Sequence, residues 1–169
     1  MKKLLVLAAF ICFGTSYGQE GLKFGIQGGL PLENFNDQIG VVLGADFGHM
    51  WALSETIDLG VMTGYIHGFP EKFGTEDVSI TLPSIQFLPV AASLRIWGSN
   101  SFSFGGDIGT AIGLNEGNDG GFYYRPQIGF LMGPSTELNF SYTGIQLDEA
   151  AWNTVTLGVL YTVQLKRPY

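Results

Sequence analysis

From Thr154 to Gln164 the chain alternates without a break: Val155, Leu157, Val159, Tyr161 and Val163 are apolar, and Thr154, Thr156, Gly158, Leu160, Thr162 and Gln164 stand between them. A period of two sends successive side chains to opposite faces of a strand, so one face is oily and the other mostly small or polar. The same period recurs where Ile57, Leu59, Val61, Tyr65 and Phe69 alternate with Asp58, Gly60, Met62, Gly64, Ile66 and Gly68. It returns where Phe102, Phe104, Ile108, Ile112 and Leu114 are set against Ser103, Gly105, Asp107, Gly109, Ala111 and Gly113. Past the first 18 residues no run of 18 apolar residues occurs, which excludes a spanning helix.

Carried along the chain, the alternation predicts eight strands, at 22–31, 40–51, 56–69, 79–97, 101–114, 122–132, 136–147 and 153–165. Most match the roughly 9–11 residues that a tilted membrane-spanning strand requires. The connections alternate too: 52–55, 98–100 and 133–135 are tight, whereas 32–39, 70–78, 115–121 and 148–152 are longer and acidic. Short turns on one rim and long loops on the other predict an all-β fold, an eight-stranded antiparallel up-and-down transmembrane β-barrel with both termini on the short-turn side. Pro83 and Pro89 predict a break or bulge within 79–97, since proline lacks a ladder donor. Leu138, Phe140 and Tyr142 alternate but Ile145 and Leu147 follow one step late, which predicts a bulge at Gly144.

Residues 1–18 read as a cleaved signal peptide, with Lys2 and Lys3 ahead of the apolar stretch Leu4 to Phe13 and small residues before Gln19, leaving 19–169 as the barrel domain. The single cysteine, Cys12, lies inside that leader, so thiolate chemistry is excluded from the mature chain. Six basic residues then face 15 acidic ones, a net charge of −9 that disfavours nucleic acid as a partner.

Glycines spaced four apart share the non-apolar face, as in Gly60, Gly64 and Gly68 or Gly105, Gly109 and Gly113. Charged residues take the same parity: Lys23, Asp46, Asp58, Asp107, Arg125 and Glu137, joined by Arg95 if Leu94 and Ile96 face lipid. An eight-stranded barrel is just wide enough for side chains to fill it, and buried charges must pair. The expectation is a packed polar interior in which Arg95 and Arg125 bridge some of Asp46, Asp58, Asp107 and Glu137 and close the lumen. The outward parity carries aromatics near strand ends, among them Phe47, Trp51, Tyr65, Phe69, Tyr124, Tyr142 and Tyr161, which suits interfacial girdles. The competing arrangement is a soluble lipocalin-like barrel with its oily face inward.

The stretches Thr56-Ile57-Asp58-Leu59-Gly60-Val61, Leu88-Pro89-Val90-Ala91-Ala92-Ser93-Leu94-Arg95, Phe104-Gly105-Gly106-Asp107-Ile108-Gly109 and Thr156-Leu157-Gly158-Val159-Leu160-Tyr161 resemble the small outer-membrane β-barrel domains of Gram-negative bacteria, the eight-stranded OmpA- and OmpX-like barrels. The resemblance spans essentially all of 19–169. It implies an outer-membrane location, contact with outer-membrane lipid and lipopolysaccharide, and insertion by a barrel-assembly machinery that reads a C-terminal aromatic, here Tyr161 or Tyr169. A monomer is expected.

No enzyme signature emerges. His49 and His67 fall on the lipid-facing parity, and no serine follows His67 at the spacing of a deacylase. Two histidines alone make no metal centre, and no cofactor or metal site is expected. The long loops hold Glu33, Asp37, Glu71, Glu76, Asp77, Glu116, Asp119, Asp148 and Glu149 against one lysine, Lys72. Such an anionic rim solubilises exposed loops and offers weak oxygen ligands through which divalent cations bridge to anionic lipid. The expected role is structural or loop-mediated interaction; the alternatives are a narrow channel or transporter for small solutes and a lipid-A-modifying hydrolase.

Overall fold

The computed structural model describes residues 20–35, 38–75, 78–81, 84–148 and 150–164. The leader at 1–18, Pro83 and Tyr169 lie outside these residues. The chain forms β1 (Gly21–Leu32), a 3-10 turn (Glu33–Phe35), β2 (Ile39–Ala52), β3 (Ile57–Pro70), β4 (Lys72–Thr75), β5 (Val78–Thr81), β6 (Ile85–Trp97), β7 (Phe102–Gly113), β8 (Gly121–Leu131), β9 (Thr136–Gln146) and β10 (Ala151–Val163). Eight of these strands close into an antiparallel barrel in the order β1-β10-β9-β8-β7-β6-β3-β2, and β4 and β5 pair as a separate two-stranded sheet in the loop between β3 and β6. Closure joins the first strand to the last, from Leu22 opposite Val163 to Leu32 opposite Asn153, so that the barrel sheet has no open edge.

The single strand expected at 79–97 is divided. Residues 78–81 belong to the loop hairpin, and the barrel strand starts only at Ile85. Pro89 produces no bulge: pairing with β3 is interrupted between Thr63 opposite Val90 and Ile66 opposite Phe87, then resumes in the same register. Proline removes one donor there, while the Pro89 carbonyl accepts a hydrogen bond from Thr63 Oγ1 at 2.8 Å.

Gly144 does not bulge either. The register of β9 against β10 runs unbroken from Ala151 opposite Gln146 to Tyr161 opposite Thr136. Ile145 simply keeps the inward parity of Glu137, Asn139, Ser141 and Thr143, all buried. The late step in the sequence marks a change in what fills the interior, from polar to apolar. The one irregularity in the β2–β3 ladder lies between Ile39 and Val41.

Candidate functional site

All seven charged residues of the barrel strands point into the lumen, and each is at most 7% exposed. Arg125, on β8, is the hub. Its Nη1 donates to both Asp46 oxygens at 2.9 Å, and its Nη2 lies 2.7 Å from Asp107 Oδ2, which also accepts from Nε at 2.8 Å. Neutral partners complete this layer: Ser93 Oγ donates to Asp107 at 2.5 Å, Gln127 Nε2 donates to it at 3.1 Å, and Gln27 Nε2 donates to Asp46 at 3.1 Å.

Toward the short-turn rim the pairing loosens. Arg95 lies 3.9 Å from Asp107 and 3.7 Å from Glu137, and Lys23 lies 3.8 Å from Glu137. Asp58 is held differently, by the Trp97 indole N–H at 2.7 Å. Buried ions cost several kcal/mol each to desolvate and persist when partnered. Strand alternation delivers these seven groups to one face, and barrel closure brings them within reach of each other.

A second layer was not anticipated. Toward the long-loop rim the interior is apolar: Trp152, Phe87, Ile145, Ile39, Val42, Ile66, Ala91, Ala111 and Tyr123 form one buried cluster, with Phe35, Ile85 and Leu147 against it. The polar plug thus fills part of the bore, and an apolar layer lies above it. Trp152 and Phe87 approach with ring centroids 5.6 Å apart, and Phe35 caps Trp152 at 5.1 Å. Trp152, assigned to a loop from sequence, is the second residue of β10. The readable signal was parity, since Trp152 is in step with the inward Thr154 and Thr156.

Outward, the eight barrel strands carry no Asp, Glu, Lys or Arg. Leucines, isoleucines, valines and phenylalanines cover the wall, with Ile26 at 71% and Ile108 at 57% exposure near mid-strand. Phe69 stands opposite Val41, and Trp51 follows ten residues later on β2. At about 3.3 Å per residue and a tilt near 40°, these aromatics are about 25 Å apart along the barrel axis, the height of an outer-membrane apolar band. A soluble barrel would place charge on this wall.

The described rim acids Glu33, Glu71, Glu116, Asp119 and Asp148 are exposed. Glu33 accepts a hydrogen bond from Asn153 Nδ2 at 2.7 Å. Asp37, Glu76, Asp77 and Glu149 lie outside the described residues. Among the described residues no three His, Cys, Asp or Glu side chains converge as metal ligands. His49 and His67 sit on the outward face, His49 edge-on to Trp51 at 4.5 Å and His67 against Phe69 at 4.2 Å.

The crystal structure of Ail, the attachment invasion locus protein of Yersinia pestis, superposes with a TM-score of 0.57 at 16% identity, covering 86% of this chain and 99% of Ail. The fold is that of a small transmembrane β-barrel. A structure from the de novo design of transmembrane β-barrels is similar as well, with a TM-score of 0.54 at 15% identity over 88% of this chain and all of the design. Ail in a phospholipid bilayer nanodisc gives a TM-score of 0.56 at 16% identity over 85% of this chain and all of Ail. No protein-family model and no curated protein matches the sequence.

Proposed function

We propose that the chain is an integral outer-membrane β-barrel with a closed lumen, non-enzymatic, whose role is structural or exerted through its loops. One observation carries this reading: charge is fully segregated in the barrel strands, with all seven of their charged residues inside and none on the wall. The wall has the character of a lipid-facing surface. The interior supports closure, because Arg125 spans from β8 to Asp46 on β2, half-way around the ring of strands. The crevice beside Asp46, Met62, Tyr123 and Arg125 is too narrow to seat a water molecule.

For loop partners the sign of charge is informative. Ail has been solved in complex with the heparin analogue sucrose octasulfate. The acidic rim of the present chain repels a polysulfated ligand of that kind, and its proposed partners are cationic surfaces or anionic lipid bridged by divalent cations.

The test is twofold. Unboiled protein should migrate differently from boiled protein on a denaturing gel, and protein reconstituted in planar bilayers should show no stable conductance. Reproducible conductance steps would replace this reading with the narrow-channel one. Altered lipid A in the mass spectrum of expressing cells would replace it with the hydrolase.

A further inference from the structure

The outward wall carries a polar row beside the long-loop rim, where β3 meets β6. Tyr65, His67 and Phe69 alternate outward along β3, with Tyr65 Oη 3.1 Å from His67 Nδ1 and the His67 ring 4.2 Å from that of Phe69. Gln86 stands directly across from His67 and faces outward by the parity that buries Phe87. Its side-chain amide reaches Ser84 Oγ at 3.4 Å.

The row is held in place by the neighbouring loop. Asn115 Oδ1 accepts the Gln86 backbone N–H at 3.0 Å, and Asn118 Nδ2 donates to the Gln86 carbonyl at 3.1 Å. With Nδ1 of His67 engaged by Tyr65, Nε2 on the far side of the ring is its other polar atom. The wall beside the row is apolar: Leu43 stands opposite His67 on β2, and Leu88 on β6 pairs with Ile112 on β7.

The geometry points to a binding site for the uncharged sugar head group of an outer-leaflet glycolipid on the outward face of β3 and β6. This inference rests on the membrane-spanning reading above. The imidazole and the amide offer both donors and acceptors, which suits hydroxyl groups. Phe69, 41% exposed, offers an aromatic face to the C–H side of a sugar ring. Charge is unfavourable to an anionic head group: the wall has no Lys or Arg, and the adjoining loops carry the exposed Glu71 and Glu116 against the single base Lys72. The acyl chains of such a lipid continue down the apolar wall.

The probe is the full chain in nanodiscs made from equal parts phosphatidylcholine, phosphatidylglycerol and monogalactosyl diacylglycerol, with retained lipids counted by native mass spectrometry. The galactolipid should be enriched over phosphatidylcholine, and combining His67→Leu with Gln86→Leu should lower that enrichment by about fivefold or more, as expected for losing hydrogen bonds of this kind. His49→Leu, at the opposite rim, should leave it unchanged. Both leucines face lipid, so the double variant should keep its heat-modifiable mobility. Equal retention of all three lipids, or enrichment unaffected by the double substitution, overturns the inference. Preferential retention of phosphatidylglycerol overturns it in favour of a phosphate site. Failure of the unsubstituted chain to enter nanodiscs overturns the membrane reading itself, which separates the two failures.

Discussion

Arg125 and Asp46 are 79 positions apart in the chain and meet at 2.9 Å in the middle of the lumen. They project from β8 and β2, which lie on opposite sides of the strand ring. The contact therefore ties together walls that share no ladder hydrogen bonds. Arg125 also holds Asp107 on the adjacent β7, so one guanidinium serves two carboxylates.

Replacing Arg125 by Met should destabilise the barrel by about 3–5 kcal/mol, because buried Asp46 loses its cation and Asp107 keeps only the more distant Arg95 at 3.9 Å. Urea unfolding in phosphatidylcholine vesicles, read by heat-modifiable mobility, measures it. Adding Asp46→Asn should recover part of the loss, so the double substitution should cost less than the sum of the single ones. Strict additivity would mean that the pair is not coupled.

The apolar layer makes a second prediction. Trp152→Ala removes the largest fully buried side chain and should cost about 3–5 kcal/mol through cavity formation. Gly68→Ala tests the same contact from the other side, since a Cβ on Gly68 would lie 2.5 Å from the Trp152 ring. Overpacking there should cost about 1–3 kcal/mol in the same unfolding assay.

Lipid exposure of the wall predicts a dependence on depth. Ile108, 57% exposed near the middle of β7, changed to Lys should cost about 2–4 kcal/mol. Leu53, in the turn between β2 and β3, changed to Lys should cost about 1 kcal/mol or less. Equal costs at the two depths would contradict a membrane-embedded wall.

Closure is expected to be redundant. Phe87→Ala combined with Trp152→Ala should leave planar bilayers without stable conductance, because the Arg125–Asp46 layer still crosses the bore below the apolar one. Conductance in this variant would show that the apolar layer alone seals the barrel.

Much of the architecture is legible in the chain. A period of two is a property of each strand taken alone, so the parity of Lys23, Asp107 or Glu137 can be read without knowing the fold, whereas that of Arg95 waited on the pairing of β6. Two misreadings share a cause. Ile145 looked out of phase, and Trp152 looked like loop, because apolar character was equated with the lipid side. The interior near the long loops is itself oily, and there hydrophobicity no longer reports orientation. At 79–97 the residues continue a strand-like composition through the loop hairpin, and only pairing partners show that β5 belongs to β4 and not to the barrel.

The amino-acid order alone determined that strands of spanning length alternate oily and polar faces, that their connections alternate in length, and that six charges share one side, with Arg95 joining them once the facing of its strand is set. Which cation meets which carboxylate was decided only by closure. Arg125 meets Asp107 across one pair of neighbouring strands, but its contact with Asp46 crosses the bore, so it depends on the register of every intervening pair and on the barrel's radius. The apolar seal is half local: Ile145 stands opposite Trp152 in the β9–β10 hairpin, whereas Phe87 on β6 reaches Trp152 only once the strands are brought around one axis.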